Sequence, residues 1–292
     1  MAEQALPRAG ARARTDRQPF GFRIPWRHLV LASIGLVVAY PFYYMVTTSL
    51  KDLFEATSVP PTLFPHELHP ENYATALSRQ PWGTFLLNTI IIASAVTIGE
   101  LVTAVLAGYA FARMQFRGKN VIFTLLLATL MLPAEATLIP NFVIMGRRYL
   151  NLYDTLAVQI IPFLATAFSI FLLRQFFLSI PNELQDAARI DGAGHLRFLW
   201  SIALPISVPA LVTVAIFAFL SSWNAFQWPL IMTDRPEVRP IQVGLNSFRA
   251  EGGSIYHVLL AAATFVVAPI VLLYLMAQKQ LIQGVARTGI RG

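Results

Sequence analysis

Six long apolar runs, at roughly 29–50, 85–112, 121–144, 155–177, 202–221 and 257–277, alternate with shorter polar segments along the 292 residues. Crossing a hydrocarbon layer of about 30 Å takes about 20 apolar helical residues, and each run approaches or exceeds that length. The runs are continuous, whereas a membrane β-barrel is built from alternating segments of about ten residues. The pattern therefore predicts an all-α, polytopic membrane protein with six transmembrane helices. No repeat of about 20–50 residues and no inverted halves are visible, so the chain reads as half of a pathway.

The interruptions carry information of their own. Residues 51–84 contain five prolines and four acids; proline this frequent forbids a long helix, leaves room for a short one at ENYATAL, and predicts an ordered outer cap. Pro133 and Pro140 flank Glu135 in the third run, whose helix is expected to break or kink there. Residues 1–27 lack apolar periodicity and are expected to be a mobile or surface-lying tail.

Composition agrees with this pattern: 56% of residues are apolar, 13% are charged, and the mean hydropathy is +0.58. A net charge of +7 and a pI near 10.0 raise the question of nucleic acid. The placement of the charge answers it. Fifteen of the 22 Lys and Arg residues fall in segments that six crossings put on the inner side, leaving seven outside against eight acids. This positive-inside bias puts both termini in the cytoplasm and makes the basic patches a topology signal, with Arg147 and Arg148 as a local exception. The first run follows a basic stretch but is long and lacks an A-x-A site, so it is read as an uncleaved span. Cysteine is absent, which excludes a disulfide framework and thiolate chemistry.

Two acids lie within apolar runs. Glu100 sits midway along the second and either joins two helices by hydrogen bonding or meets the solute. Glu135 is either a functional acid or a solvated loop residue. Trp223, Asn224, Phe226 and Trp228 follow the fifth run; they could stack on a sugar ring, or pack at the membrane interface as Trp and Tyr commonly do. His66 and His69 form the one close histidine pair, and without further ligands nearby no metal site is expected. Phosphate-loop, zinc-protease and serine-hydrolase motifs are all missing. No catalytic residue is assigned, and the chain does not itself hydrolyse ATP.

Leading from behind the fourth run into the fifth is LQDAARIDGAGHLRFLWSIALPISVP, residues 184–209. Pro181 flanked by Ser179 and Asn182 marks a helix start. The helix from Glu183 to Ile190 places Leu184, Ala187, Ala188 and Asp191 on one face with small residues at its middle. Gly192 and Gly194 interrupt it, and a second helix from His195 to Ala203 is expected to run into Pro205 and Pro209 of the fifth span. Lying along the membrane face, such an element is either a lever docked on a partner or an interfacial anchor. Its balanced charges and its alanines favour the partner.

DAARIDGA with Phe198, Ile202, Leu204-Pro205 and Pro209 resembles the coupling motif E-A-A-x-x-D-G-A…I-x-L-P of binding-protein-dependent ABC transporter permeases. It departs at Asp186, where the family prefers Glu, a change that shortens the reach of the carboxylate. RQFFLSIPNEL, SSWNAFQWPLIM and the tail QKQLIQGVARTGIRG resemble the carbohydrate-uptake branch, of the maltose-permease type, over about residues 28–292. The resemblance implies a type I importer permease fold and a bacterial inner-membrane location. The partners it implies are a second homologous permease, two ABC ATPases that bind ATP and Mg, a soluble solute-binding protein outside, and the lipid bilayer. Nucleic acid is not among them, and the chain itself binds no cofactor or metal. The implied division is an N-terminal tail at 1–27, a first span and external segment at 28–84, a transmembrane domain at 85–278 with its coupling segment at 183–200, and a tail at 279–292. Asp186, Ala187, Ala188, Asp191, Gly192 and Ala193 would meet the ATPase, with Gly284, Gly289 and Arg291 as a second contact. Trp223, Asn224 and Glu100 are candidates for the solute pathway. The expected solute is a sugar or related polyol; a glycerol-3-phosphate-type importer is the alternative, followed by an ATP-independent carrier.

Overall fold

A computed structural model describes residues 26–249 and 255–288. Nearly all of the expected N-terminal tail, together with Gly289 and Arg291, falls outside them. The chain divides into two units, one through Tyr43 and one from Tyr44 onward. Helix α1 (Trp26–Ser49) carries the first apolar run. The described residues are mostly helical and contain no strand.

In the second unit the proline-rich cap holds two short helices, α2 (Leu53–Ala56) and α3 (Glu71–Ser78). Asn72 Nδ2 donates to the carbonyls of Ser49 and Lys51 at 2.9 and 2.8 Å, and the buried Lys51 ammonium donates to Thr62 O at 2.6 Å. These bonds order the segment despite its prolines, as the sequence predicts. The 32-residue α4 (Trp82–Arg113) follows without interruption.

The later apolar runs bend. Helix α5 (Lys119–Ala128), extended by a 3₁₀ turn to Met131, meets α6 (Ala134–Met145) at 103°. The break falls at Leu132, which is extended because the residue before a proline is disfavoured in the helical region. Pro140 lies inside α6 without ending it, and Glu135 is exposed in its first turn. Helix α7 (Ala157–Ile160) and the 3₁₀ turn through Phe163 bend by 41° into α8 (Ala167–Ser179), whose N-terminus is capped by Thr166. Then come α9 (Asn182–Ile190), α10 (His195–Phe198), a π-helical stretch at Leu199–Ala203, α11 (Leu204–Ile206) and α12 (Val208–Trp223). Helices α13 (Gln227–Met232), α14 (Ile241–Asn246) and α15 (Tyr256–Thr288) complete the described chain.

By length and composition, α1 and α4 can each cross a membrane, and counting each bent pair as one crossing gives up to five. The sixth run falls in α15, where Tyr256–Leu272 forms a shorter apolar helix. The fifth run is also cut differently from the expectation. Its first residues belong to the helix begun at His195, and the chain turns by 80° at Ser207 before α12. Ser207 Oγ donates back to Ala203 O at 2.6 Å, a bond that bends helices, and Pro205 and Pro209 flank the turn.

Helix α4 packs against both α8 and α12. Gly108 allows the α8 contact, because a Cβ there would lie 3.2 Å from Arg174 N and from Leu173 Cβ. Below that crossing, Tyr109, Leu173, Phe177, Ala188, Phe198 and Val214 share one apolar core.

Candidate functional site

The segment singled out by its motif ends its first helix in a closed hydrogen-bond pattern. Asp191 is the C-cap of α9, and Gly192 follows in the left-handed region with φ of 76°. Gly192 N donates to Arg189 O at 3.0 Å and Ala193 N donates to Ala188 O at 2.8 Å. These are the two bonds of a Schellman stop, which satisfies carbonyls that the helix end would otherwise orphan. The accompanying apolar contact is also present, with Ala188 and Ala193 in the same cluster. The spacing A-x-x-D-G-A thus has a local physical meaning. It turns the chain sharply between α9 and α10.

Exposure divides the predicted docking residues. Asp186, Ala187, Asp191 and Gly192 are exposed and Ala193 is half-buried, while Ala188 is only 5% exposed. Ala188 points into the chain's own core beside Phe177 and Phe198. The outer surface of the elbow is instead apolar at several positions the sequence did not single out, among them Ile190, 87% exposed, Leu196, 67% exposed, and Trp200, 63% exposed. Asp186 and Arg189 lie 3.9 Å apart, both exposed. Gly284 falls within α15, and the other two tail residues lie outside the described chain.

Two residues one turn apart on α4 hold this elbow. Arg113 donates to Phe177 O through Nε and Nη2 at 3.0 and 2.7 Å, to Ile180 O, and to Asn182 Oδ1 at 2.5 Å. It therefore covers the carbonyl end of α8, where a cation is favoured by the helix dipole, and grips the first residue of α9. Tyr109 Oη lies 3.1 Å from His195 Nδ1 at the start of α10. Arg174 of α8 returns the contact, donating to Phe111 O near the end of α4 at 3.2 Å while its guanidinium lies 4.1 Å from the Phe123 ring centroid. In the sequence these arginines read only as charges marking a membrane boundary. The i, i+4 spacing of Tyr109 and Arg113 was the available signal.

Farther along α4, toward its N-terminus, a pocket of about 80 Å³ opens between α4, α7, α12 and α13. Glu100 lines it, 6% exposed. Its Oε1 accepts from Thr166 Oγ1 at 2.5 Å and from Ser169 Oγ, which is the helix-to-helix bonding read as one of two alternatives. Facing the same space are Gln159, Ser221, Ser222 and Trp228. Trp228 Nε1 is satisfied by Val158 O at 2.9 Å. Trp223 and Asn224 are not part of this lining. Trp223 is buried against Phe219, with ring centroids 5.6 Å apart, and Asn224 Nδ2 bonds Leu220 O at 2.8 Å. Among the described residues, no group of three or more His, Asp or Glu side chains could hold a metal. His66 and His69 instead pair with Glu55 and Glu71, at 2.7 and 2.6 Å.

At the far end of the bundle, Asp154 joins two loops. It accepts from the backbone N–H groups of Asp234 and Arg235 at 2.9 and 3.0 Å and from Arg235 Nε at 2.7 Å. Burial pushes its carboxyl upward, but these donors together outweigh burial and hold it below the usual carboxylate range.

Residues 100–287 match the family described as binding-protein-dependent transport system inner membrane component. The sn-glycerol-3-phosphate transport system permease protein UgpE of Yersinia pestis is 33% identical over 265 residues, covering 88% of this chain and 94% of that protein. The probable ABC transporter permease protein YurM of Bacillus subtilis is 34% identical, covering 91% and 88%. A crystal structure of a bacterial ABC transporter involved in the import of the acidic polysaccharide alginate contains a chain that superposes with a TM-score of 0.75 at 26% identity, covering 87% of this chain and 94% of that one. The chain belongs to the inner-membrane components of binding-protein-dependent ABC transport systems, and is a permease subunit rather than an enzyme.

Proposed function

We propose that the chain forms half of the solute pathway of an ATP-driven carbohydrate importer, and that the elbow at 182–206 receives the stroke of a cytoplasmic ATPase. The chain would cross the inner membrane six times with both termini inside. It would pair with a second permease and two ATPases and take solute from an external binding protein. The observation that carries the mechanism is the Schellman-closed turn at Asp191-Gly192-Ala193, with Ile190 and Leu196 exposed on either side of it. An exposed apolar rim on a rigid turn, bordered by Asp186 and Asp191, suits a protein groove better than water.

Movement of the elbow would reach the pathway through α4. Arg113 and Tyr109 tie the start of α9 and the start of α10 to one face of that helix. Glu100 lies on the same rod, about 20 Å away at 1.5 Å per residue. The 80° bend at Ser207 makes the connection through α12 a jointed one, so α4, one unbroken helix of 32 residues, is the stiffer path. Nucleotide acts on such a system only through different affinity for its two states, and a docked elbow gives it that difference. The test is Asp186→Lys in the reconstituted complex: insertion survives while solute-stimulated ATP hydrolysis and uptake both fall. Unchanged uptake would remove the elbow from the mechanism.

The glycerol-3-phosphate-type reading is favoured by likeness to UgpE; import of an acidic polysaccharide by the structural neighbour favours a carbohydrate, though in that protein a charged one.

A further inference from the structure

We propose that the Glu100–Gln159 pocket is a subsite for the hydroxyl groups of a neutral polyhydroxylated solute, and that Glu100 excludes anionic ones. The proposal deepens the importer reading and rests on it. Glu100 is the only ionisable side chain among the residues that line the pocket, and no Lys or Arg accompanies it. Its Oε1 is committed to Thr166 and Ser169, which leaves Oε2 as an acceptor.

Gln159, 2% exposed, is the second such group. Its Nε2 donates to Val238 O at 2.8 Å, while its buried Oε1 has no hydrogen-bond partner. An acceptor buried without a donor costs free energy that an incoming hydroxyl would return. Ser221 and Ser222 add hydroxyls, and Trp228 and Phe163 add aromatic surface. Acceptors, hydroxyls and ring faces together are the chemistry that receives a sugar edge. The ionised phosphate or carboxylate group of an anionic solute, whatever hydroxyls the rest of it carries, brings only acceptors and a like charge into a poorly solvated space, where repulsion is weakly screened. The volume of about 80 Å³ admits the edge of a ring rather than a whole sugar, as befits a wall shared with a second permease.

Trp228 provides the readout. The assembled complex, first checked for ATP hydrolysis, is titrated with maltose and trehalose as neutral probes and with sn-glycerol 3-phosphate and galacturonate as anionic probes, while tryptophan fluorescence is followed. Trp228→Phe identifies the signal. A neutral probe should saturate the change at a concentration about tenfold or more below any anion. Glu100→Gln, which keeps an acceptor for Thr166 and Ser169 but puts an amide donor where Oε2 stood, should narrow that gap from both sides, tightening the anions and weakening the neutral probe. Equal or tighter anion binding, an unchanged gap in Glu100→Gln, or no Trp228 response to any probe overturns the subsite. A complex that assembles no active ATPase would instead sink the importer reading beneath it.

Discussion

The guanidinium of Arg113 donates to Asn182 Oδ1 at 2.5 Å, joining the last residue of α4 to the first residue of α9 across 69 positions of chain. The same guanidinium covers the carbonyls of Phe177 and Ile180, so one side chain fixes three elements where the elbow leaves the bundle. Replacing it with alanine leaves those carbonyls without their donor and frees the elbow's start. Arg113→Ala should cost about 2 kcal/mol of stability and lower uptake per ATP hydrolysed by about fivefold or more. Arg113→Lys, a single point charge without the planar fork, should recover part of both. Equal loss of hydrolysis and uptake, with their ratio unchanged, would mean that Arg113 only stabilises the fold.

Gly192 tests the turn itself. No atom lies within 4 Å of the position a Cβ would occupy, and its φ is 76°, so a substitution meets conformational strain and no clash. Gly192→Ala should cost about 1–2 kcal/mol, Gly192→Asn less and Gly192→Val more, in melting temperature and in hydrogen exchange over 188–196. A cost that followed side-chain volume alone, with Asn worse than Ala, would contradict the left-handed turn.

Gly108 behaves oppositely, since its added Cβ would press on α8 backbone at 3.2 Å from Arg174 N. Gly108→Ala should lower stability by about 1–3 kcal/mol through overpacking, measured by thermal unfolding in detergent. Neutrality there would mean that α4 and α8 can separate at no cost.

The Asp154 cluster predicts an acid limit. A carboxyl held below its ordinary range when folded contributes stability above the unfolded-state pKa, and the contribution disappears as pH falls through the lowered folded-state value. Arg235 is largely exposed and screened by solvent, so the slope should be shallow. Melting temperature followed downward from neutral pH should drop less steeply in Asp154→Asn than in the wild type. Parallel curves would show that the cluster is not a source of the pH dependence.

Much of this architecture was legible in the chain because lipid imposes a strong pattern. The break at Pro133, the short helix at Glu71–Ser78 and the glycine turn follow from local rules on proline and left-handed backbone. The fifth span's start was not legible, because the bend at Ser207 depends on a side chain bonding back to Ala203 inside an unbroken apolar run. Ala188 was placed on the docking face by its spacing; the fold turns it inward, into the core that holds Phe177 and Phe198. The pocket was half visible. Glu100 stood out as a lone acid, but its partners Thr166 and Ser169 and its neighbour Gln159 are ordinary polar residues that only the packing of α4 on α8 and α7 brings together.

The most direct measurement uses the absence of cysteine from the chain. Single cysteines at Ile190 and Leu196, with Gln185→Cys as the inward-facing control, can be crosslinked in the assembled complex with and without ATP. The elbow account predicts crosslinks from Ile190→Cys and Leu196→Cys to the ATPase, with yields that change on nucleotide binding, and none from Gln185→Cys. Labelling of the Ile190 and Leu196 positions by a lipid-phase reagent, with no crosslink to the ATPase in either state, would contradict it.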